Sequence, residues 1–256
     1  FDGHPKFNWL MLIIYKLFQR YSYRDKRVRY LVNSDFVRCC LMSSPYFIGA
    51  KKIYSKNISP ALVENYFKVP IKRTFLSSCL IGTVGRIHQK KGFAYFVQLI
   101  KKLLENNNQC QFKVMSHDDL KAFDLKQIEI IPAYNDLDCI KFYDSCDIFI
   151  STSLFEGFGM PPLEAMARGC VCVLFDCEGF REYAIHNENA LIVAIGDQSA
   201  LFNAVVQLIS DPGLRRRLSL AAIQTARKFS WKETAHIFEQ AISYFCIEKK
   251  GDFFEP

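Results

Sequence analysis

From about residue 78 onward, short apolar runs alternate with amphipathic helical stretches, and few chain architectures accept that alternation. The runs are Ser78 to Val84, Phe112 to Met115, Ile128 to Ile131, Ile148 to Ser151, Val171 to Phe175 and Leu191 to Val193. Their length suits strands, and the nearly unbroken apolar character of the later ones suits strands covered on both faces. Between the first two runs, Phe93, Phe96, Val97, Ile100, Leu103 and Leu104 recur at helical spacing, and Asp138 to Cys146 forms a shorter helical stretch. Strands alternating with helices imply an α/β fold: a parallel sheet with helices on both faces and right-handed crossovers.

After the last run the chain is expected to be all helix. Gly196-Asp197 opens one helix, and Asp211-Pro212 supplies an N-cap followed by proline in the first turn of the next. Ser230-Trp-Lys-Glu233 has the form of a capping box for a third helix, whose apolar face is Ile237, Phe238, Ala241, Ile242 and Phe245. Residues 1–77 are less regular. Trp9 to Tyr21 and Asp35 to Met42 have helical patterns, Val28 to Val32 a strand pattern, and Lys52 to Val69 the punctuation of a connector.

Charge is unevenly placed. The net charge of +7 arises in residues 1–56, which carry 11 Lys/Arg against 3 Asp/Glu. The cluster from Tyr15 to Arg29 lies beside the apolar run Trp9 to Ile14, a pattern suited to peripheral contact with an anionic membrane or an acidic acceptor. The alternative is an ordinary solvated helix face. No basic stripe continues along the rest of the chain, so nucleic acid is not an expected partner. No run reaches the roughly 18 apolar residues of a membrane span. The ten cysteines show neither a CxxC pair nor metal-ligand spacing and are expected to be free thiols in a reducing compartment, with a disulfide framework or zinc site as the alternative.

Two loops carry the chemistry. Glu156-Gly-Phe-Gly-Met-Pro-Pro-Leu-Glu164 follows a strand and opens a helix that stops at Gly169. It sets two carboxylates eight residues apart around two glycines and a Pro-Pro pair. Gly85-Arg-Ile-His-Gln-Lys-Lys-Gly92 follows the first strand and precedes the first helix of the regular region. Ligands of such sheets bind at the carboxyl ends of the strands, where helix N-termini favour phosphates. Arg86 and Lys91 therefore fall on the same edge as the acidic loop and form a candidate diphosphate clamp. Neither loop is a P-loop or a dinucleotide fingerprint, which weakens kinase, GTPase and dehydrogenase readings.

These residues, with Asp147 to Ser151, Glu188 to Val193, Ser210-Asp-Pro212 and Phe229-Ser-Trp231, resemble the donor-binding domain of the family 4 retaining glycosyltransferases of the GT-B fold, over roughly residues 50–248. The resemblance implies two Rossmann-like domains, of which the C-terminal one holds a nucleotide-diphosphate sugar and the N-terminal one a glycan or lipid-linked acceptor. It assigns Arg86 and Lys91 to the diphosphate, Glu156 to the donor sugar and Glu164 to the ribose hydroxyls. It turns the backbone around Phe158, Gly159 and Met160 toward sugar or phosphate, places Gly85 at the phosphate loop, and sets Ala133-Tyr134 beside the base. No metal and no cofactor beyond the donor substrate are implied.

The domain limits expected are 1–77 for the remnant of an acceptor-side domain and its connector, 78–232 for the nucleotide-sugar domain, and 233–256 for a helix packing back toward the N-terminal part. The enzyme is expected in the cytoplasm, at the inner face of the membrane, in bacterial surface-polysaccharide synthesis. Gly179-Phe-Arg-Glu-Tyr183 departs from the family pattern, and Arg181 and Glu182 are expected to alter the donor-sugar pocket. His88 is read as a loop residue. The rival readings are a truncated, non-catalytic nucleotide-sugar-binding module and a sugar epimerase or phosphorylase of the same fold.

Overall fold

The computed structural model describes residues 28–44, 47, 52–71, 79–106, 110–123, 125 and 128–251, the side chains of 248–251 excepted. The predicted helix Trp9 to Tyr21 and most of the basic cluster lie outside them. The chain forms two compact units, 60–234 and a smaller one composed of 1–59 with 235–256.

The larger unit is built on six parallel strands: β1 (Cys79–Val84), β2 (Cys110–Met115), β3 (Ile128–Ile131), β4 (Ile148–Ser151), β5 (Val171–Phe175) and β6 (Ala190–Val193). Their order across the sheet is β3-β2-β1-β4-β5-β6. Side chains alternate between faces, so each strand serves two cores. Ile148, Ile150, Val171, Val173 and Phe175 pack with Phe96, Ile100, Leu201 and Val205 from the helices 93–105 and 198–210. Phe149, Cys172 and Leu174 pack on the other face with Ile140, Phe142, Leu163 and Met166. All five residues of β5 are buried, which explains why that run has no polar alternate.

Local chemistry sets the helix ends. The side chain of Asn135 accepts the N–H of Asp138, that of Asp197 accepts Ala200, and that of Asp211 accepts Leu214. Each such cap contributes about 1 kcal/mol. The helix Met160–Ala167 starts a full turn before Glu164, because Gly159, at φ +84, turns the chain and prolines occupy the first turn, where no N–H is needed.

The two ends of the expected sheet domain shift. The divisions fall at 59/60 and 234/235 rather than at 77/78 and 232/233. The reason is the anchoring of the predicted connector. Leu62 is buried, and its N–H donates to Phe229 O (2.9 Å). Residues 65–68 form a helical turn. The Arg168 guanidinium, wholly buried, donates to Tyr66 O (2.8 Å) and Val69 O (2.8 Å), reaches Pro70 O, and grips the Asp144 carboxylate (2.8 and 3.0 Å). A buried charge needs such partners, and here most of them are backbone carbonyls of the connector.

In the smaller unit the helix Asp35–Met42 is capped by Ser34, whose hydroxyl accepts the Val37 N–H (3.1 Å). Arg38 ties it to Tyr54 O (2.8 Å) and Asn57 (2.7 Å). Val28 to Val32, expected as a strand, makes a single bridge among the described residues, Tyr30 to Ile53. The helix Trp231–Gly251 belongs to this unit from Ala235 on, and Tyr244 and Phe245 pack there against Tyr54. Among the described residues no helix is long and apolar enough to cross a membrane.

Candidate active site

The strand order creates the site. The chain leaves β1 for β2 on one side and leaves β4 for β5 on the other, while β1 and β4 lie side by side. Their following loops diverge from a common edge, which is where such sheets bind ligands. A cleft of about 250 Å³ opens there, lined by Thr83, Arg86, Lys91, Ser153, Glu156 and Pro161 among others.

Across this cleft Lys91 Nζ meets Glu156 Oε1 at 2.6 Å. Ser153 Oγ donates to the same oxygen at 2.8 Å. The Glu156 side chain is only 14% exposed and that of Lys91 38%, so both are partly withdrawn from water and their attraction is less screened than at an open surface. The two loops are also stitched through the backbone. Leu154 N–H donates to Lys90 O (2.7 Å), and Thr152 Oγ donates to Gly92 O (2.9 Å). Gly92 has φ +59, and a Cβ there would lie 2.1 Å from the Thr152 carbonyl oxygen. Only glycine allows both the conformation and the approach. From below, the Cys177 thiol donates to Ser153 O (2.8 Å), and burial pushes its pKa up to about 12, so it remains a donor.

The remaining predicted residues occupy several environments. Arg86 borders the cleft and contacts Asp118 (3.4 Å), whose carboxylate also accepts the Ile87 N–H (2.8 Å). Gly85 is packed so closely that a Cβ would lie 2.7 Å from Val114 Cγ1. The Phe158 side chain is core, against Tyr183 and Phe229, which leaves its backbone for any ligand contact. Gly159 faces Phe180, and Met160 begins the helix. Tyr134 stands 79% exposed on the loop after β3, its ring edge-to-face with His117 at 5.3 Å. Glu164 does not line the cleft. It sits one turn into the helix, its Oε2 accepting the Tyr143 hydroxyl at 2.7 Å. Burial raises its pKa, partly opposed by the hydrogen bonds of Tyr143 and Tyr66.

Residues 71–225 match the family described as glycosyl transferases group 1. The chain belongs to that family. It is 28% identical over 147 residues to the lipopolysaccharide core biosynthesis mannosyltransferase LpcC of Rhizobium leguminosarum bv. viciae, a match covering 53% of this chain and 42% of the relative. Its fold superposes on Anabaena Alr3699/HepE in complex with UDP-glucose with a TM-score of 0.73, at 16% identity, covering 90% of this chain and 66% of that one. It also matches the C-terminal domain of a glycosyl transferase group 1 family protein (LpcC) from Francisella tularensis, with a TM-score of 0.53 and 25% identity, over 67% of this chain and 95% of that domain. The chain spans less than half the length of the first curated relatives it matches.

Three residues in or near the candidate site were not picked out from the sequence. Ser153 and Thr152 stand just before the acidic loop, and their hydroxyl spacing from Glu156 is a usable signal once the loop is known to fold back. Tyr143 gives no signal, being an apolar-face residue of the helix Asp136–Ser145. Arg181, expected to shape the donor pocket, instead pairs with Asp176 through two contacts (2.9 and 2.7 Å) in the loop after β5 and does not line the cleft. His88 accepts the Lys90 N–H at 3.2 Å and caps the short helical turn 89–91, which fits its reading as a loop residue. Among the described residues no cluster of His, Cys, Asp and Glu could hold a metal ion.

Proposed function

We propose that this chain is the donor-binding part of a retaining glycosyltransferase that moves a sugar from a nucleotide diphosphate to a glycan or lipid-linked acceptor. The observation that carries the reading is the Lys91–Glu156 pair, brought from two loops to 2.6 Å across a cleft that Arg86 also borders. Cations and a part-buried carboxylate at one strand edge suit a substrate with a charged diphosphate joined to a hydroxyl-rich ring.

In this mechanism Arg86 and Lys91 bind the diphosphate and stabilise the charge that grows on it as the sugar–phosphate bond breaks; each such contact is worth on the order of 3–4 kcal/mol of barrier. Glu156 orients the sugar through its hydroxyls, beside the reacting carbon. Backbone N–H groups around Phe158, Gly159 and Met160 face the sugar or distal phosphate, with the helix start at Pro161 adding its dipole. Glu164 accepts the ribose hydroxyls, and Tyr134 borders the base. The acceptor attacks from the side the diphosphate leaves, and the departing phosphate oxygen takes the acceptor proton. No metal is required.

The curated relative named for lipopolysaccharide core synthesis and the neighbour solved with UDP-glucose support a sugar nucleotide as donor and a surface glycan as product. A cytoplasmic location at the inner membrane face is part of the same proposal and rests on the basic residues before Tyr30. Titration with UDP, GDP and ADP by calorimetry tests the donor site. At least one should bind, and Lys91→Ala should weaken it about 10- to 100-fold, as expected for a charged hydrogen bond. Absence of binding by all three, or unchanged affinity in the variant, would remove the assignment.

A further inference from the structure

We infer that Tyr143 is a positioning residue for the donor: its hydroxyl holds one oxygen of Glu164 so that the other meets the ribose, and it thereby sets the preference for ribo- over 2′-deoxyribonucleotides. This deepens the donor-site reading above and rests on it.

Tyr143 is wholly buried on the helix Asp136–Ser145, ringed by Phe142, Phe149 and Tyr66. A buried tyrosine hydroxyl needs a partner, and this one has the Oε2 of Glu164 at 2.7 Å. This bond, together with the one from Tyr66, fixes the last rotatable torsion of the side chain and gives the carboxylate a defined direction. Glu164 stands one turn after Pro161 and Pro162, which line the cleft, and is itself only partly exposed. A carboxylate held in this way accepts from neighbouring hydroxyls in a fixed geometry, and a ribose missing its 2′-hydroxyl leaves a half-buried acceptor unpaired.

The electrostatic surroundings agree. The titratable groups facing Glu164 are Tyr143, Cys139 and Asp136 on that helix, Tyr66 on the turn 65–68 and Tyr183 after β5. Burial and the Asp136 charge push its proton affinity up, and the Tyr143 hydrogen bond brings it down. Tyr143 therefore opposes the effect of burial and favours the acceptor form of Glu164.

The test compares UDP and GDP with their 2′-deoxy counterparts by calorimetry on the wild type, Tyr143→Phe and Glu164→Gln, from pH 6 to 9. Phenylalanine keeps the ring packing, and a thermal melt checks that the variant is folded. The wild type should favour the ribonucleotide by about tenfold or more, the range of a hydrogen bond to a charged group. In Tyr143→Phe the preference should shrink to within about threefold, and the pH at which affinity is half-developed should rise. Glu164→Gln should lose that pH dependence. A folded Tyr143→Phe protein that keeps the wild-type ribose preference and pH profile overturns the positioning role. A wild type that does not distinguish the two sugars overturns the ribose assignment of Glu164 itself.

Discussion

Replacing Gly92 with alanine tests whether the two site loops are one piece. At φ +59 an alanine costs about 1–2 kcal/mol over glycine. Its Cβ would also sit 2.1 Å from the Thr152 carbonyl oxygen, a contact that only backbone movement can relieve. Moving that backbone breaks the Thr152–Gly92 and Leu154–Lys90 hydrogen bonds, each contributing about 0.5–1.5 kcal/mol. The sum is about 2–5 kcal/mol, or roughly 5–15 °C in Tm for a unit of this size. Gly196→Ala is the control: its φ is +81, but its nearest neighbour, the Tyr95 hydroxyl, is 3.6 Å from a Cβ, so it bears only the conformational cost. Thermal unfolding followed by circular dichroism, with nucleoside diphosphate titration at 20 °C, reads both consequences. Gly92→Ala should melt well below Gly196→Ala and bind donor nucleotides more weakly, because Lys91 is carried by the displaced loop. Equal melting of the two variants would refute the close-approach argument.

Three further outcomes are expected. Arg168→Leu leaves the Asp144 carboxylate and the Tyr66 and Val69 carbonyls without their donor and should cost about 3–5 kcal/mol in chemical denaturation; a loss under 1 kcal/mol would mean the connector is held by something else. Ser153→Ala removes one donor from the Glu156 carboxylate and should lower donor turnover about 10- to 100-fold with nucleotide affinity little changed, a hydrogen bond to a charged group being worth about 1.5–3 kcal/mol; equal losses in turnover and affinity would contradict a role confined to Glu156. Glu164 has a folded pKa above its ordinary value, so stability falls as pH rises from the unfolded toward the folded pKa and stays lower above it. Glu164→Gln should therefore raise Tm at pH 8 but not at pH 4, and a gain independent of pH would show that the charge is not the cause.

Much of the sheet could be read directly, because strands buried on both faces leave runs such as Val171–Phe175 that admit few other structures. The loop pair was readable for a different reason: Arg86, Lys91 and Glu156 follow strand ends, and in a parallel sheet strand ends share an edge. What escaped was whatever depends on partners distant in sequence. Arg168 looked like the last residue of a short helix, since nothing near it shows that its guanidinium meets carbonyls almost a hundred residues upstream. For the same reason the segment 60–71 was expected with the N-terminal remnant, its punctuation by Pro60 and Pro70 suggesting a free linker. The ring of Tyr143 is core, and only its hydroxyl carries the further role.

The buried clamp of Arg168 has a consequence for how the protein can vary. It holds the segment by main-chain oxygens of Tyr66, Val69 and Pro70, which every amino acid supplies. Attachment is therefore indifferent to most side-chain identities at the exposed Pro70, while Val69 also packs on the core, and it is stringent at Arg168 and Asp144. Substitutions should accumulate more freely on one side of the joint than on the other, and an engineered library randomised at 70 should remain folded where one randomised at 168 does not.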